Sequence, residues 1–264
     1  MKQIKKIIRL VLLCSWMAFS VQTTHAQDSK QLDEIAPTSN PDFEKSDYRS
    51  KDGAEIVFWS LRPTQIEKGE KYPLVLVLHG RGGRTTAATE LGSDRFRDVF
   101  PCFVFAPVST GKGHWIRPSE LSEQGAKARG TTPMLPLALE ALDEFIAEHP
   151  VDRDRIYVTG QSMGGAGTFG ALALRPDFFA GAIPVCGGWE IKDAEKFKSV
   201  PIWVFHGDQD KVVPVTNSRK IVEAISAEGG TPKYTEFPGV GHDSWVKAYS
   251  DPQTWDWLFR QKKK

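Results

Sequence analysis

Arg155-Ile-Tyr-Val-Thr-Gly-Gln-Ser162-Met-Gly-Gly165 decides how the rest of the chain is read. Residues 156–159 are apolar and β-prone and predict a strand, Gly160-Gln-Ser162-Met-Gly164 a sharp turn, and residues 166–174 a helix closed by Arg175-Pro176. Strand, G-x-S-x-G and helix in that order form a nucleophile elbow, a strained turn that lifts a hydroxyl clear of the sheet. The residue types follow from crowding. Gly160 and Gly164 remove side chains that would collide across the turn, and Gly165 lets the helix start lie close to the sheet. The N–H groups that open the helix face any negative charge developing beside the hydroxyl.

Outward from this stretch, strand and helix signals alternate. Residues 54–62 predict an early strand, and Leu74-Val-Leu-Val-Leu78 is the continuous apolar run of a strand buried on both faces, leading into His79-Gly-Arg-Gly-Gly83. Residues 86–100 predict a weak helix interrupted by Gly92, residues 102–108 a second buried strand, and residues 109–130 a polar excursion carrying His114 and Trp115. The strongest helix signal follows, with Leu135, Ala138, Leu139, Leu142, Phe145 and Ile146 on one stripe. Thr132 reads as its N-cap and Pro133 as its first residue. Beyond the elbow come strands at 181–186, 201–205 and 233–237, a helix marked by Ser218, Ile221, Val222 and Ile225, and a covering helix around Trp255, Leu258 and Phe259. The expected architecture is α/β, a mostly parallel sheet of about eight strands with helices on both faces, forming one domain over residues 47–264. In such sheets the site forms beyond the carboxyl ends of the strands.

The chain has 264 residues, enough for one domain of this kind, and a formal net charge of +1. Residues 1–26 read as a secretory signal: Lys2, Lys5, Lys6 and Arg9, then an apolar core over 10–21, then Thr24-His-Ala26 with cleavage expected after Ala26. That core is too short to span a bilayer, which takes about 20 residues. A secreted or periplasmic location without a stable membrane anchor is expected. Residues 27–46 are polar and read as a linker. Taking the four basic residues of the signal from the 34 in the chain leaves 30 against 33 acids, so no basic surface points to nucleic acid.

A serine hydroxyl becomes nucleophilic when a base takes its proton and a third group orients the base. Each partner is available in a loop after a predicted strand. The base is His242, in Gly239-Val-Gly-His-Asp-Ser-Trp245; the acid lies in His206-Gly-Asp208-Gln-Asp210, where position alone does not choose between the two aspartates. The order Ser, Asp, His is that of elbow enzymes. His79 and His206 each precede a glycine at a strand end and read as turn supports. His114 sits where substrate would pass. Oxyanion donors are expected at the N–H of Met163 and, in the His79–Gly83 loop, of Arg81, with Gly82 as the alternative. No metal-ligand spacing appears among the histidines and cysteines.

The runs LVLVLHGRGG, VTGQSMGGAGT, FHGDQDKVVP and GVGHDSW resemble the α/β-hydrolase superfamily. More narrowly, they resemble its secreted carboxylesterase and predicted-peptidase branch, allied to phospholipase/carboxylesterases, dienelactone hydrolases and feruloyl or acetyl-xylan esterases. The resemblance covers the chain from about Tyr72 onward. It implies Asp210 as the acid, the last residue of an H-G-x-x-D pattern, a Ser162-Asp210-His242 triad, and no metal or organic cofactor. The strand order it implies separates Cys102 from Cys186 and leaves both as buried free thiols. Cytosolic thioesterase relatives carry Gln after the nucleophile where this chain has Met163.

The implied activity is hydrolysis of carboxylic esters, short acyl or aryl, on small molecules or linked to polysaccharide. Trp115 and Trp189 are expected as aromatic walls for the substrate. Two other classes fit the same residues: a serine peptidase, and a non-catalytic carbohydrate- or partner-binding protein on a hydrolase fold.

Overall fold

The computed structural model describes residues 42–83, 85–109, 113–121 and 132–263. The expected signal, most of the expected linker and most of the 109–130 excursion lie outside them. Among the described residues eight strands make one sheet: β1 Glu44–Arg49, β2 Glu55–Leu61, β3 Tyr72–Leu78, β4 Phe103–Pro107, β5 Val151–Gln161, β6 Gly181–Val185, β7 Trp203–Gly207 and β8 Lys233–Phe237. Their order is β1-β2-β4-β3-β5-β6-β7-β8, with β1/β2 and β2/β4 antiparallel and the other pairs parallel. The sheet therefore begins at Glu44, inside the stretch read as linker. Strand β1 escapes hydropathy because its residues are largely exposed and it pairs on one side only.

Among the described residues six α-helices cover the sheet: α1 Thr86–Leu91, α2 Leu135–Glu148, α3 Met163–Leu174, α4 Thr216–Ala227, α5 Trp245–Ser250 and α6 Pro252–Phe259. Alternate residues of β3 face opposite sides, as the pleat requires. Leu74, Leu76 and Leu78 join a core with α2, α3 and α4, whereas Val75 and Val77 join one with α1, α5 and α6. This is why β3 reads as unbroken hydrophobic sequence.

Three sequence expectations shift here. Helix α2 starts at Leu135, with Met134 as its N-cap and Pro136 in its first turn, so Thr132 and Pro133 precede it. The main-chain N–H groups of Met134 and Leu135 instead bond the carbonyls of His114 and Trp115 and tie the helix start to that segment. The weak helix ends at Leu91, with Gly92 at its C-cap. The C-terminal cover is two helices, divided at Asp251, whose side chain accepts the N–H of Gln253 and caps α6.

The joint between β6 and β7 is slender. Val185 registers with Phe205, and one further bridge joins Ala182 to Ile202. By contrast β7 and β8 register over five pairs, from Trp203↔Lys233 to Gly207↔Phe237. Among the described residues no helix is long and apolar enough to cross a membrane.

Candidate active site

Ser162 sits between β5 and α3 with φ 55° and ψ −114°, a conformation costly for any residue with a Cβ. Main-chain packing holds it there. The Ser162 N–H donates to Val185 O at 2.9 Å, and the Ser162 carbonyl accepts from Ala166 N at 3.0 Å. The two glycines beside it are needed for space. A Cβ on Gly160 would stand 2.4 Å from Gly164 O, and one on Gly164 would stand 1.8 Å from Leu78 O.

Asp210 and His242 come to Ser162 from the exits of β7 and β8. His242 Nε2 lies 2.9 Å from Ser162 Oγ, and His242 Nδ1 lies 2.7 Å from Asp210 Oδ2. The histidine is partly open to solvent, at 22 % side-chain exposure, while the carboxylate is fully covered. The His242 loop can cross the end of β7 because residue 207 is glycine: a Cβ there would lie 2.3 Å from Val240 O. Trp245 packs its ring edge-on against the imidazole at 5.2 Å.

Geometry also separates the two aspartates. Asp208 Oδ1 accepts the N–H of Gly239 at 2.7 Å and so holds the turn that leads to His242. Asp210 Oδ1 accepts the N–H groups of Val212 and Val213, at 2.8 and 2.9 Å, leaving Oδ2 for histidine. Burial works to raise the Asp210 pKa. The hydrogen bonds from His242, Val213 and Val212 outweigh it and hold the carboxyl below its ordinary value.

Gly80-Arg-Gly-Gly83 forms a turn closed by Gly83 N–H to Gly80 O at 3.1 Å, with Gly82 at φ 87°. A third turn residue with positive φ calls for glycine. The turn lies beside the serine, since a Cβ on Gly80 would stand 3.6 Å from Ser162 Cβ. Met163 is the first residue of α3, where an N–H has no carbonyl one turn back to bond.

His79 supports this turn from inside. Its Nδ1–H donates to Gly80 O at 2.8 Å, and its Nε2 accepts the N–H of Ser109 at 2.9 Å. Burial lowers its pKa to about 4, so the ring is neutral and the two roles are fixed. His114 is also spoken for: its Nε2 lies 2.6 Å from buried Glu120.

The two tryptophans expected as substrate walls are core residues. Trp115 is fully buried, donates its indole N–H to His79 O at 2.9 Å, and packs over Gly167. Trp189 is buried, donates to Asp193 Oδ2 at 2.9 Å, and lies against Gly170. An indole needs both a large apolar contact and a partner for its N–H, and each ring finds both inside. Cys102 and Cys186 are buried free thiols, and β4 and β6 are separated by β3 and β5, as expected.

Sequence reading missed two neighbours of the site. His206 also touches Asp210, with Nε2 3.2 Å from Oδ2. Cys186, at φ 40°, brings its sulfur within 4.8 Å of ligand atoms of Asp210 and His242. Burial pushes that thiol up to about 12, and Oδ2 and Nδ1 are already bonded to each other, so this trio is poorly suited to an ion.

A mostly parallel sheet carrying serine, aspartate and histidine after β5, β7 and β8 has the α/β-hydrolase fold. The family model described as phospholipase/carboxylesterase matches residues 64–255, and the chain belongs to that family. Poly(3-hydroxyalkanoate) depolymerase C of Paucimonas lemoignei is 34% identical over 123 residues, 44% of this chain and 28% of the depolymerase. A probable SOBER1-like carboxylesterase of Arabidopsis thaliana is 27% identical over 203 residues, 66% of this chain and 77% of its own length. The solved structure of a thermostable esterase is 33% identical with a TM-score of 0.75, covering 84% of this chain and 63% of the esterase. The chain thus spans less than a third of the depolymerase and less than two thirds of that esterase.

Proposed function

We infer that the protein is a serine hydrolase of carboxylic esters, acting through an acyl-enzyme on Ser162. The observation that carries this reading is the unbroken line Ser162 Oγ, His242, Asp210, with contacts of 2.9 and 2.7 Å. In the first half-reaction His242 Nε2 takes the Ser162 proton as Oγ attacks the ester carbonyl. The N–H groups of Met163 and Arg81 hold the oxyanion that forms. Asp210, kept ionised by its hydrogen bonds, holds the Nδ1–H of His242 and stabilises the imidazolium. His242 then gives its proton to the departing alkoxide, which leaves as the alcohol. In the second half His242 deprotonates a water that attacks the acyl-enzyme, and returns the proton to Ser162 Oγ as the acid leaves.

The substrate class follows from the family and from the expected export of the chain: short acyl or aryl esters, free or attached to a polymer. With Trp115 and Trp189 in the core, the polysaccharide-linked substrate rests on the expected location and on the likeness to acetyl-xylan esterases. One substrate panel tests the reading: p-nitrophenyl acetate, butyrate and laurate, methyl ferulate, acetylated xylan, a poly(3-hydroxyalkanoate) film and aminoacyl anilides. Turnover of the short esters, lost in Ser162→Ala, is expected. Turnover of anilides alone would make the protein a peptidase. A folded protein with no turnover and no fluorophosphonate label on Ser162 would leave the binding reading.

A further inference from the structure

We propose that His206 is a second histidine of the catalytic relay: a positioning residue that donates its Nε2–H to Asp210 and fixes where that carboxylate presents its charge to His242. The inference rests on the hydrolytic reading above.

Asp210 Oδ2 is shared. It lies 2.7 Å from His242 Nδ1 and 3.2 Å from His206 Nε2. His206 Nε2 also lies 3.0 Å from the carbonyl of Val213. Carboxylate and carbonyl oxygens both accept, so the proton between them belongs to Nε2 in a three-centre bond. On the other side Nδ1 lies 2.7 Å from Ser218 Oγ, which is itself 3.0 Å from Gly187 O. A hydroxyl has one proton. That proton faces both Gly187 O and Nδ1, and with Nε2–H committed to its two acceptors the ring is the neutral Nε2–H tautomer, the form that burial favours. The two acceptors at Nε2 therefore set the tautomer of His206 on β7, Ser218 on α4 holds its other nitrogen, and His206 sets Asp210. With the two amide donors on Oδ1, the carboxylate accepts four hydrogen bonds and has no freedom to rotate away from His242.

His206 is completely buried and so is not placed to touch substrate. The titratable groups that act on it are Asp210, His242 and Glu236, its register partner on β8, which Arg219 already neutralises through bonds of 2.9 and 2.5 Å. Removing the His206 donor leaves more negative charge on Oδ2 for His242. The protonated form of His242 is then favoured, and base catalysis is lost at a higher pH.

The test is steady-state kinetics on p-nitrophenyl butyrate across pH for wild type, His206→Phe and His206→Gln. Phenylalanine keeps a ring without a donor, whereas the glutamine amide nitrogen occupies the Nε2 position. His206→Phe should lower kcat roughly 10- to 100-fold, the worth of one hydrogen bond to a charged group, with KM little changed. Its acid limb of kcat/KM should move up by about one pH unit. His206→Gln should recover most of both. A His206→Phe with a wild-type acid limb, whatever its kcat, overturns the proposal, because general loosening does not move the limb in that direction. Two measurements cover a His206→Phe that fails to fold. Side-chain ¹⁵N NMR of the wild type should show His206 as the neutral Nε2–H tautomer, and an Nδ1–H tautomer would end the case. Ser218→Ala, which leaves Nδ1 without its partner, should loosen His206 and lower kcat several-fold, and an unchanged kcat counts against the relay. If the wild type neither turns over the ester nor labels at Ser162, the hydrolytic reading has failed and this inference with it. If both succeed while the His206 and Ser218 variants behave as wild type, only this inference falls.

Discussion

His79 makes the acid stability of the fold predictable. Its ring is buried, and its pKa stands at about 4 against an ordinary 6.5. Between those values the unfolded chain binds a proton that the folded chain refuses. Stability from this group is therefore complete above pH 6.5 and falls as pH drops toward 4. From the two pKa values, the loss between pH 7.5 and 4.5 is about 2.5 kcal/mol. Other buried groups titrate as well, so the measurement is a difference. Urea unfolding of wild type and His79→Asn is followed at steps of half a pH unit. At pH 7.5 the variant should be less stable by about 1–3 kcal/mol, since Ser109 N–H loses the Nε2 acceptor. At pH 4.5 the gap should have closed by about 2.5 kcal/mol, because asparagine has nothing to protonate. Two stability curves that stay parallel across this range would refute the argument that desolvation of the imidazole, balanced in part by Gly80 O, fixes its charge.

Three further outcomes are expected. Ser162→Gly and Ser162→Ala should both lack turnover, but glycine accepts φ 55° and ψ −114° without strain, so Ser162→Gly should be the more stable by about 1 kcal/mol in denaturant melts. Gly164→Ala should unfold the elbow, with a loss above about 4 kcal/mol seen as a collapse of the thermal midpoint, since the new Cβ would lie 1.8 Å from main-chain oxygen. Arg81→Ala should keep kcat, as the proposed donor is main chain, while Arg81→Pro should lower it about 100- to 1000-fold with the acylation burst slowed.

The buried strands and the elbow were legible because each carries a local signature. The β3 run is hydrophobic at every residue, and the glycines at 160 and 164 mark contacts in which backbone meets backbone. The Ser, Asp, His set was legible through its order, each member directly after a strand. Strand β1 was hidden because a largely exposed edge strand carries little hydropathy signal. Trp115 and Trp189 misled because exposure is a tertiary property: the first is drawn inward by His79 O and the second by Asp193, and neither partner is implied by sequence spacing. Asp210 was singled out over Asp208 by resemblance. The physical reason, that Asp208 is occupied by Gly239 N–H, needs coordinates. His206 was read as a turn support because nothing in a strand-end histidine says that Asp210, four residues on, folds back under it.

The slender joint between β6 and β7 has a consequence for how activity fails. Ser162 belongs to the body of the sheet, while Asp210 and His242 travel with the β7–β8 ribbon, which is far better zipped internally than to its neighbour. A fluctuation that parts this seam carries acid and base away together, still bonded to one another, and strands the hydroxyl alone. Under mild stress the protein would fall silent as a catalyst while most of its secondary structure survives, like a lock whose bolt has slid off an intact door.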